Sequence, residues 1–222
     1  MRFERVLVVG AGQMGAGIAQ VMAASGRAVF LHDAAPGAVE KSLAGMRKSL
    51  EKLAAKGAPH DPDEVLARVR AVDELVDADL LVEAVVEDAG VKRSIFRGAD
   101  VALGPEAVLA SNTSSIPIAS LAEATGRPER VIGMHFFNPV PVMALVEVVR
   151  APGTSDATVA EVVALAEELG KTPAEVNDFP GFVSNRILMP LINEAAYALQ
   201  DGVAEAEAID TIARLCFNHP MG

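Results

Sequence analysis

The stretch Val6-Leu7-Val8-Val9-Gly10-Ala11-Gly12-Gln13-Met14-Gly15 decides the fold of this chain. Its first four residues form a short apolar run, mainly β-branched, which is typical of a parallel strand buried on both faces. The remaining six follow the pattern G-x-G-x-x-G, and residues 14–24 then predict a helix that ends before Gly26. A strand, a glycine turn and a helix in this order predict the first unit of a dinucleotide-binding sheet.

The glycine turn predicts a dinucleotide site formed by Gly10, Ala11, Gly12, Gln13, Met14 and Gly15. Gly10 permits the tight turn, Gly12 lets the backbone approach the pyrophosphate, and Gly15 lets the helix pack closely on the strand. The pyrophosphate would bind the N–H groups at the start of the helix. Two alternatives stay open. FAD uses the same motif, although the sequence has no second flavin motif, and the glycine turn could also bind no ligand.

Asp33, at the end of a second predicted strand (residues 28–31), indicates which dinucleotide binds. Its carboxylate lies about 20 residues after the glycines, where it can accept hydrogen bonds from the hydroxyls of the adenosine ribose. The same charge would repel a 2′-phosphate, and Ala34 and Ala35 provide no arginine to bind one. We therefore expect NAD in preference to NADP.

Predicted strands and helices alternate along the first 179 residues. Further strands are expected at 80–86, 107–110, 131–133 and 144–149, and further helices at 36–56, 91–103 and 156–169. This alternation predicts an α/β fold, with a Rossmann-like, mostly parallel sheet domain over residues 1–179. Segments 182–199 and 204–217 have apolar residues at helical spacing, so residues 180–222 are expected to begin an all-helical second domain.

Composition argues against several functions. The 222 residues carry a formal net charge of −11, whereas a nucleic-acid partner needs a basic face, so none is expected. No apolar run reaches the roughly 20 residues of a membrane span, and the start of the chain leaves no room for a signal peptide. Cys216 is the only cysteine and cannot form an internal disulfide, which indicates a reducing compartment. We therefore expect a cytoplasmic protein with no membrane partner.

The segment His135-Phe136-Phe137-Asn138-Pro139, followed by Glu147, is a candidate for proton transfer. A neutral imidazole can accept a proton near pH 7, and a carboxylate on its other nitrogen would stabilise the imidazolium that forms. From the spacing alone, a purely structural histidine is an equally good interpretation. No metal site is expected, because the other three histidines have no ligand-like spacing with His135.

Three further features have both a functional and a structural interpretation. Residues Ser111–Ser115 follow a predicted strand, where their hydroxyls could orient a substrate oxygen or cap the next helix. Lys48, Lys52 and Lys56 form one stripe of a predicted helix, which could bind a phosphate group or simply be a solvated face. Asn185 could face a cleft between domains or cap the helix that it begins.

Together these motifs resemble the NAD-dependent L-3-hydroxyacyl-CoA dehydrogenases, especially the bacterial 3-hydroxybutyryl-CoA dehydrogenases. The resemblance runs from Val6 to Gly222. Its carriers are residues 10–15, Leu81–Glu87, Ser111–Ser115, His135–Met143, Leu145–Val148, Pro180–Arg186 and His219–Gly222. The set is specific, whereas none of its members would be so alone.

The resemblance implies a reaction and the residues that carry it. The enzyme would oxidise (S)-3-hydroxyacyl-CoA to 3-oxoacyl-CoA, or catalyse the reverse, by hydride transfer with NAD in fatty acid or butanoate metabolism. His135 matches the general base and Glu147 its orienting carboxylate. Ser114 and Asn185 match residues that hold the oxygen atoms of the substrate, and Asn138 supports the site.

The resemblance also implies how the ligands and a second subunit bind. Glu87, Lys92 and Ser114 match positions that contact the cofactor, whereas Ser49 and Lys56 match positions that contact the CoA moiety. Family members continue beyond the last of these motifs, so the second domain is expected to be truncated here. A homodimer is expected where that domain is complete.

Two alternatives to this enzyme stay open. An L-gulonate 3-dehydrogenase, related to the lambda-crystallins, would have the same fold, although residues 136–143 resemble the acyl-CoA enzymes more closely. A non-catalytic relative that binds NAD is the other alternative. The presence of His135, Glu147, Ser114 and Asn185 argues against it.

Overall fold

The chain consists of two compact units. The computed structural model describes residues 2–222, and the contacts between residues divide the chain after Pro180. The first unit contains the whole sheet and ends one residue beyond the boundary expected from the sequence. The second unit, residues 181–222, contains only helices and loops.

Strands and helices alternate along most of the first unit. The strands are β1 (Arg5–Val9), β2 (Ala28–His32), β3 (Val69–Ala71), β4 (Leu80–Glu83), β5 (Val108–Ser111), β6 (Val131–Phe136), β7 (Leu145–Arg150) and β8 (Thr172–Asn177). The helices are α1 (Gln13–Ala24), α2 (Ala38–Ala54), α3 (Pro62–Leu66), α4 (Ala89–Ala102), α5 (Ile118–Ala122) and α6 (Asp156–Glu168), with a 3₁₀ helix at Pro128–Arg130. Most predicted elements are therefore present, with ends shifted by a few residues.

The strands form one sheet in the order β3-β2-β1-β4-β5-β6-β7-β8. Every neighbouring pair is parallel except β6 and β7, which are antiparallel. The strand order reverses between β1 and β4, which is the place where Rossmann-like sheets bind dinucleotides. The predicted fold class, a Rossmann-like domain with a mostly parallel sheet, is confirmed.

Helices cover both faces of the sheet because its central strands are apolar on both sides. Val6 and Val8 belong to an apolar cluster that also contains side chains of α1, α2 and α6. Leu7 points to the opposite face, where Phe96 of α4 and Leu121 of α5 are also fully buried. With both faces covered, a ligand reaches β1 at its carboxyl end, where the glycine turn begins.

Five elements were not predicted from the sequence, among them the 3₁₀ helix at Pro128–Arg130. β3 and β8 lie at the two edges of the sheet, where exposed polar residues interrupt the apolar pattern, and β8 contains Pro173, which an edge strand tolerates. α3 and α5 have five residues each, too few to show helical periodicity. The strand predicted at 80–86 ends at Glu83, because the chain leaves the sheet there to form a loop.

The second unit contains α7 (Ser184–Gln200) and α8 (Ala206–Leu215). Neither helix has a buried side chain, and Ile192, Ile212 and Leu215 are at least half exposed. The all-helical second domain predicted from the sequence is confirmed. Within residues 2–222, no helix combines the length and apolar composition that crossing a membrane requires.

Candidate active site

Four loops meet at the carboxyl edge of the sheet. β1, β4, β5 and β6 are adjacent and parallel, so their ends lie side by side. The glycine turn follows β1, residues 84–88 follow β4, residues 112–117 follow β5, and residues 137–144 follow β6. The fold thus brings together the predicted cofactor turn, the serine-rich segment and the segment after His135, which are far apart in the sequence.

The reason for a glycine differs between the three glycine positions of the turn. Gly10 has a φ of +104°, and a Cβ there would lie 2.5 Å from the carbonyl oxygen of Ala84. A Cβ on Gly15 would lie 1.7 Å from the carbonyl oxygen of Gly10, so α1 can approach the strand only without a side chain at this position. Gly12 differs, because a Cβ there would meet no atom within 4 Å. The fold does not require glycine at position 12, but a ligand that approaches the backbone does.

The start of α1 provides backbone donors for an anion. The first intrahelical hydrogen bond runs from the Ala16 N–H to the Gly12 carbonyl (2.8 Å), and no side chain caps the helix. The N–H groups of the first turn therefore point out of the helix, at the positive end of its dipole. Together with the open space beside Gly12, this arrangement fits the pyrophosphate of a dinucleotide.

Asp33 fixes the glycine turn from the neighbouring strand. Its Oδ2 accepts a hydrogen bond from the Ala11 N–H (2.7 Å), and its Oδ1 accepts one from the Ala35 N–H (2.8 Å). This structural role was not evident from the sequence. The predicted hydrogen bonds to the ribose stay a prediction, for which each carboxylate oxygen has a second lone pair.

A buried carboxylate supports the loops on both sides of β4. Glu83 is fully buried and accepts hydrogen bonds from Lys92 Nζ (2.6 Å), the Ser111 hydroxyl (2.6 Å) and the Val85 N–H (2.7 Å). Because these donors come from α4, β5 and the loop after β4, Glu83 ties three elements together. The sequence analysis did not select this residue individually, although it lies in the segment Leu81–Glu87 and is an acid inside the apolar strand predicted at 80–86.

Lys92, which the family resemblance predicts to contact the cofactor, is buried. It is 1% exposed, and its ammonium lies 2.6 Å from Glu83 Oε1 and 3.2 Å from Glu87 Oε2. Burial of an ammonium group is costly unless such partners compensate its charge. Lys92 therefore has little exposed surface, and its ion pair with Glu87 connects it to the loop that follows β5. Its contact with the cofactor stays a prediction.

Glu87 organises the loop that follows β5. Its Oε1 accepts hydrogen bonds from the Thr113 hydroxyl, the Ser114 N–H (3.1 Å), and the N–H (3.2 Å) and hydroxyl (2.9 Å) of Ser115. Burial alone would raise the pKa of Glu87, but the hydroxyl hydrogen bonds and the charge of Lys92 outweigh it and lower the pKa from its usual 4.5. Ser114 is thereby held at the sheet edge by an ionised carboxylate.

His135 and Glu147 form a hydrogen-bonded pair near the end of β6. They are directly opposite each other in the antiparallel register of β6 and β7, so their side chains lie on the same face of the sheet. His135 Nδ1 lies 2.8 Å from Glu147 Oε2, and the two side chains are 10% and 3% exposed. The ring of Phe137 packs against the imidazole, with 4.6 Å between the ring centroids. A histidine held by a buried carboxylate has the arrangement that a general base requires.

The segment after His135 is tied to the neighbouring loop by Asn112. The Phe136 N–H donates a hydrogen bond to Asn112 Oδ1 (2.9 Å). Asn112 is a second site residue that the sequence analysis did not select individually, and its signal was its place in the serine-rich segment. Asn138 is exposed, and the peptide bond that follows it is cis.

The predicted CoA contacts lie on α2 and beyond its end. Ser49 is partly exposed on the helix. Lys56 lies two residues past Ala54, the last residue of α2, so the three predicted lysines do not form one helical stripe. Asn185 lies in the first turn of α7, in the second unit. Within residues 2–222, no group of three or more His, Cys, Asp or Glu side chains could hold a metal ion.

Comparison with known protein families identifies the family of this chain. The model for "3-hydroxyacyl-CoA dehydrogenase, NAD binding domain" matches residues 5–179, and the model for the C-terminal domain of the same family matches residues 181–222. The chain belongs to the 3-hydroxyacyl-CoA dehydrogenase family. It is an NAD-dependent dehydrogenase, and the predicted cofactor is confirmed.

Several 3-hydroxyacyl-CoA dehydrogenase relatives are similar over almost the whole chain. A probable 3-hydroxybutyryl-CoA dehydrogenase of Deinococcus radiodurans is 54% identical over 97% of this chain and 79% of its own length. One of Bacillus subtilis is 49% identical over 100% of this chain and 79% of its own length. The crystal structure of (S)-3-hydroxybutyryl-CoA dehydrogenase from Ralstonia eutropha has a TM-score of 0.94 and 45% identity, covering 99% of this chain and 80% of that one.

The contrast between Gly12 and Gly15 gives a first prediction. Gly15→Ala should lower the free energy of unfolding by about 1–3 kcal/mol, because its Cβ would overlap the Gly10 carbonyl. Gly12→Ala should leave the fold intact but weaken NADH binding by about tenfold or more, equivalent to about 1.4 kcal/mol. Thermal melts and titration of NADH fluorescence measure the two effects. Wild-type NADH affinity in Gly12→Ala would show that no pyrophosphate approaches this residue.

The lowered pKa of Glu87 gives a prediction about acid stability. A carboxyl whose pKa is lower in the folded state stabilises the protein above its ordinary pKa of 4.5, and this contribution is lost as the pH falls below that value. Glu87→Gln should therefore melt about 2 °C below wild type at pH 7, a difference of less than about 1 kcal/mol because the side chain is partly exposed. The gap should narrow as the pH is lowered toward 3.5.

The exposed residue Glu51 on α2 provides the matched control for Glu87. Glu51→Gln removes the same charge without removing these hydrogen bonds, so its melting temperature should follow wild type at each pH. A Glu87→Gln deficit that stays constant between pH 7 and pH 3.5 would contradict the ionised state of Glu87.

Proposed function

We propose that this chain interconverts (S)-3-hydroxyacyl-CoA and 3-oxoacyl-CoA, with His135 as the general base and Glu147 as its orienting carboxylate. The observation that carries this assignment is the buried 2.8 Å contact between His135 Nδ1 and Glu147 Oε2, one strand away from the serine loop after β5. NAD, when bound, supplies the hydride acceptor. The chain's own residues then have to bind the alcohol, orient it and take its proton.

The tautomer of His135 follows from its partner. Because Glu147 is an acceptor when ionised, Nδ1 carries the proton of the neutral ring and Nε2 carries the lone pair. Nε2 takes the proton of the substrate's 3-hydroxyl as C3 loses its hydride. The imidazolium that forms is stabilised by the buried negative charge of Glu147. In the direction of reduction, the same proton returns to the oxygen.

The remaining proposed contacts orient the substrate. Ser114 lies on the loop that Glu87 holds at the sheet edge, which suits a hydroxyl that must meet both the substrate oxygen and the cofactor. Asn138, exposed just after His135, and Asn185 provide amide groups for hydrogen bonds to substrate oxygens. We propose that Ser49 and Lys56 contact the CoA moiety, where the ammonium of Lys56 offers a charge for its phosphate groups.

The substrate that we propose is 3-hydroxybutyryl-CoA or a longer homologue. The bacterial relatives are named 3-hydroxybutyryl-CoA dehydrogenases, and a human relative named hydroxyacyl-coenzyme A dehydrogenase, mitochondrial, is 41% identical over 99% of this chain. These names favour an acyl-CoA substrate over L-gulonate. They also support a place in fatty acid or butanoate metabolism.

We further propose that the protein is cytoplasmic and that it forms a homodimer where its second domain is complete. The exposed apolar side chains of α7 and α8 support self-association, because many exposed apolar residues on two helices can be buried by a second subunit. The single cysteine, Cys216, supports the location, because it fits a reducing compartment. Sedimentation velocity of the protein with a complete second domain tests the assembly, and a pure monomer at micromolar concentration contradicts it. Cell fractionation tests the location.

One assay tests the substrate class. NADH oxidation should proceed with acetoacetyl-CoA and not with 3-dehydro-L-gulonate. Activity with the sugar acid alone would overturn the proposal in favour of an L-gulonate 3-dehydrogenase. Activity with neither, while NADH still binds, would favour a non-catalytic NAD-binding protein.

Loss of the proposed base should separate turnover from cofactor binding. His135→Gln should lower kcat with acetoacetyl-CoA by about 10²–10⁴-fold, because a positioned general base typically contributes this much. NADH binding, measured by fluorescence titration, should remain close to wild type, because His135 lies on β6 and not on the glycine turn. Turnover within a few-fold of wild type would rule out the assigned role.

Glu147→Gln tests the counter-charge while keeping the size of the side chain. The amide cannot stabilise an imidazolium as a carboxylate does, so kcat should fall by about 10²-fold or more. The thermal melt and the NADH affinity show whether the fold has survived. A folded Glu147→Gln variant with wild-type kcat would mean that the carboxylate has only a structural role.

A further inference from the structure

The turn that connects β6 to β7 determines how His135 meets Glu147. We call residues 137–144 the catalytic turn, because they join the two strands that carry this pair. Within the turn, the N–H groups of Val142 and Met143 both donate to the Pro139 carbonyl (2.9 Å each). Register across a hairpin depends on the geometry of its connection. Any group that fixes this turn therefore acts on the alignment of the pair.

Lys171, just before β8, holds the catalytic turn from outside. Its ammonium donates hydrogen bonds to the carbonyl oxygens of Val140 (2.6 Å) and Met143 (2.8 Å). The next residue continues the attachment, because the Thr172 N–H donates to the Ala144 carbonyl (2.7 Å). Three carbonyl groups on one side of the turn are thus bound by two consecutive residues of another segment.

The opposite side of the catalytic turn packs on the cofactor helix α1. Val140 is 2% exposed, and a Cβ on Gly17 would lie 2.8 Å from the Val140 Cβ. The turn therefore lies against α1 at a position that has no room for even one methyl group. Movement away from α1 is resisted by the bonds to Lys171 and Thr172.

The hydrogen bonds of Lys171 indicate that its positive charge serves to bind carbonyl groups of the catalytic turn. Among residues 2–222, no carboxylate forms an ion pair with it, and the two carbonyl oxygens of the turn are its hydrogen-bond partners. Burial lowers the pKa of Lys171. An ammonium that is partly desolvated without a carboxylate partner depends on the carbonyl groups that it binds, and it holds them correspondingly firmly.

We propose that Lys171 is a positioning residue for the His135–Glu147 pair, which it aligns by holding the Val140 and Met143 carbonyls of the catalytic turn. This inference rests on the proposed function of His135. Lys171 contacts neither the reacting atoms nor the cofactor turn. Its removal should therefore impair the chemical step more than cofactor binding, because small misplacements of a catalytic group have large effects on rate.

The test compares Lys171→Met, Lys171→Arg and the control Lys41→Met, which removes an exposed lysine of α2. With acetoacetyl-CoA and NADH, Lys171→Met should lower kcat by about 10- to 100-fold, with NADH affinity close to wild type. Lys171→Arg keeps the charge and both donors, and an adjacent cavity of about 400 Å³ gives the larger group room, so it should recover most of kcat. Lys41→Met should behave as wild type.

A spectroscopic measurement reports on the pair without relying on turnover. The chain has only four histidines, so ¹⁵N-histidine NMR can resolve the Nδ1–H of His135, with His135→Gln providing the assignment. In Lys171→Met this signal should shift or broaden, while the signals of His32 and His219 stay in place. If Lys171→Met fails to fold, Lys171→Gln gives the same comparison with a shorter, uncharged donor.

The outcomes separate this inference from the proposed function. An unchanged kcat, an unchanged His135 signal, or a loss in Lys171→Arg as large as in Lys171→Met would overturn the positioning role. A parallel loss of NADH affinity and kcat would also overturn it, because it would show a general structural defect. The role of His135 as a base fails on a different result, namely turnover by His135→Gln, which leaves the NMR test of Lys171 valid.

Discussion

The antiparallel pairing of β6 and β7 is the constraint on which the candidate active site depends. If β7 ran parallel, as the strands before it do, a long crossover would have to separate it from β6. Instead, a short turn sets Glu147 directly opposite His135 and on the same face of the sheet. The carboxylate gains the donor that its burial requires, and the imidazole gains a fixed tautomer. One hydrogen bond thus contributes to the fold and gives His135 the orientation that its proposed role as a base requires.

The parallel strands provide the second half of the site. β1, β4 and β5 end at the same edge as β6, so the loop for the pyrophosphate and the serine loop lie in the same row. The chain fixes these loops through the buried ion pair of Glu83 and Lys92 and through the partly exposed carboxylate of Glu87. Such a network is costly to desolvate and stable only when each group is satisfied. It therefore holds the loops in one arrangement. A fixed arrangement suits a reaction in which a carbon loses a hydride and the oxygen bound to it loses a proton.

Much of the fold was predictable from local patterns. Val6–Val9 and the glycine turn predicted β1, α1 and the dinucleotide site, because apolar runs and turn chemistry act over a few residues. The edge strands β3 and β8 and the short helices α3 and α5 were missed, because their patterns are too short or too exposed. The burial of Lys92 was also missed, since its two carboxylate partners come from β4 and the loop after it.

The sequence by itself determined the family, the cofactor and the residue types of the site, because these follow from motifs whose spacing is local. Spacing alone left His135 balanced between a structural and a catalytic interpretation, and the resemblance to the family favoured the catalytic one. The tertiary structure shows a buried pair with Glu147, which supports the proposed catalytic role, and it adds hydrogen bonds of Lys171, Asn112 and Glu83 that the sequence did not indicate. The physical reason is that hydrogen bonds across strands depend on register and strand direction, which arise only when distant segments pack into one sheet.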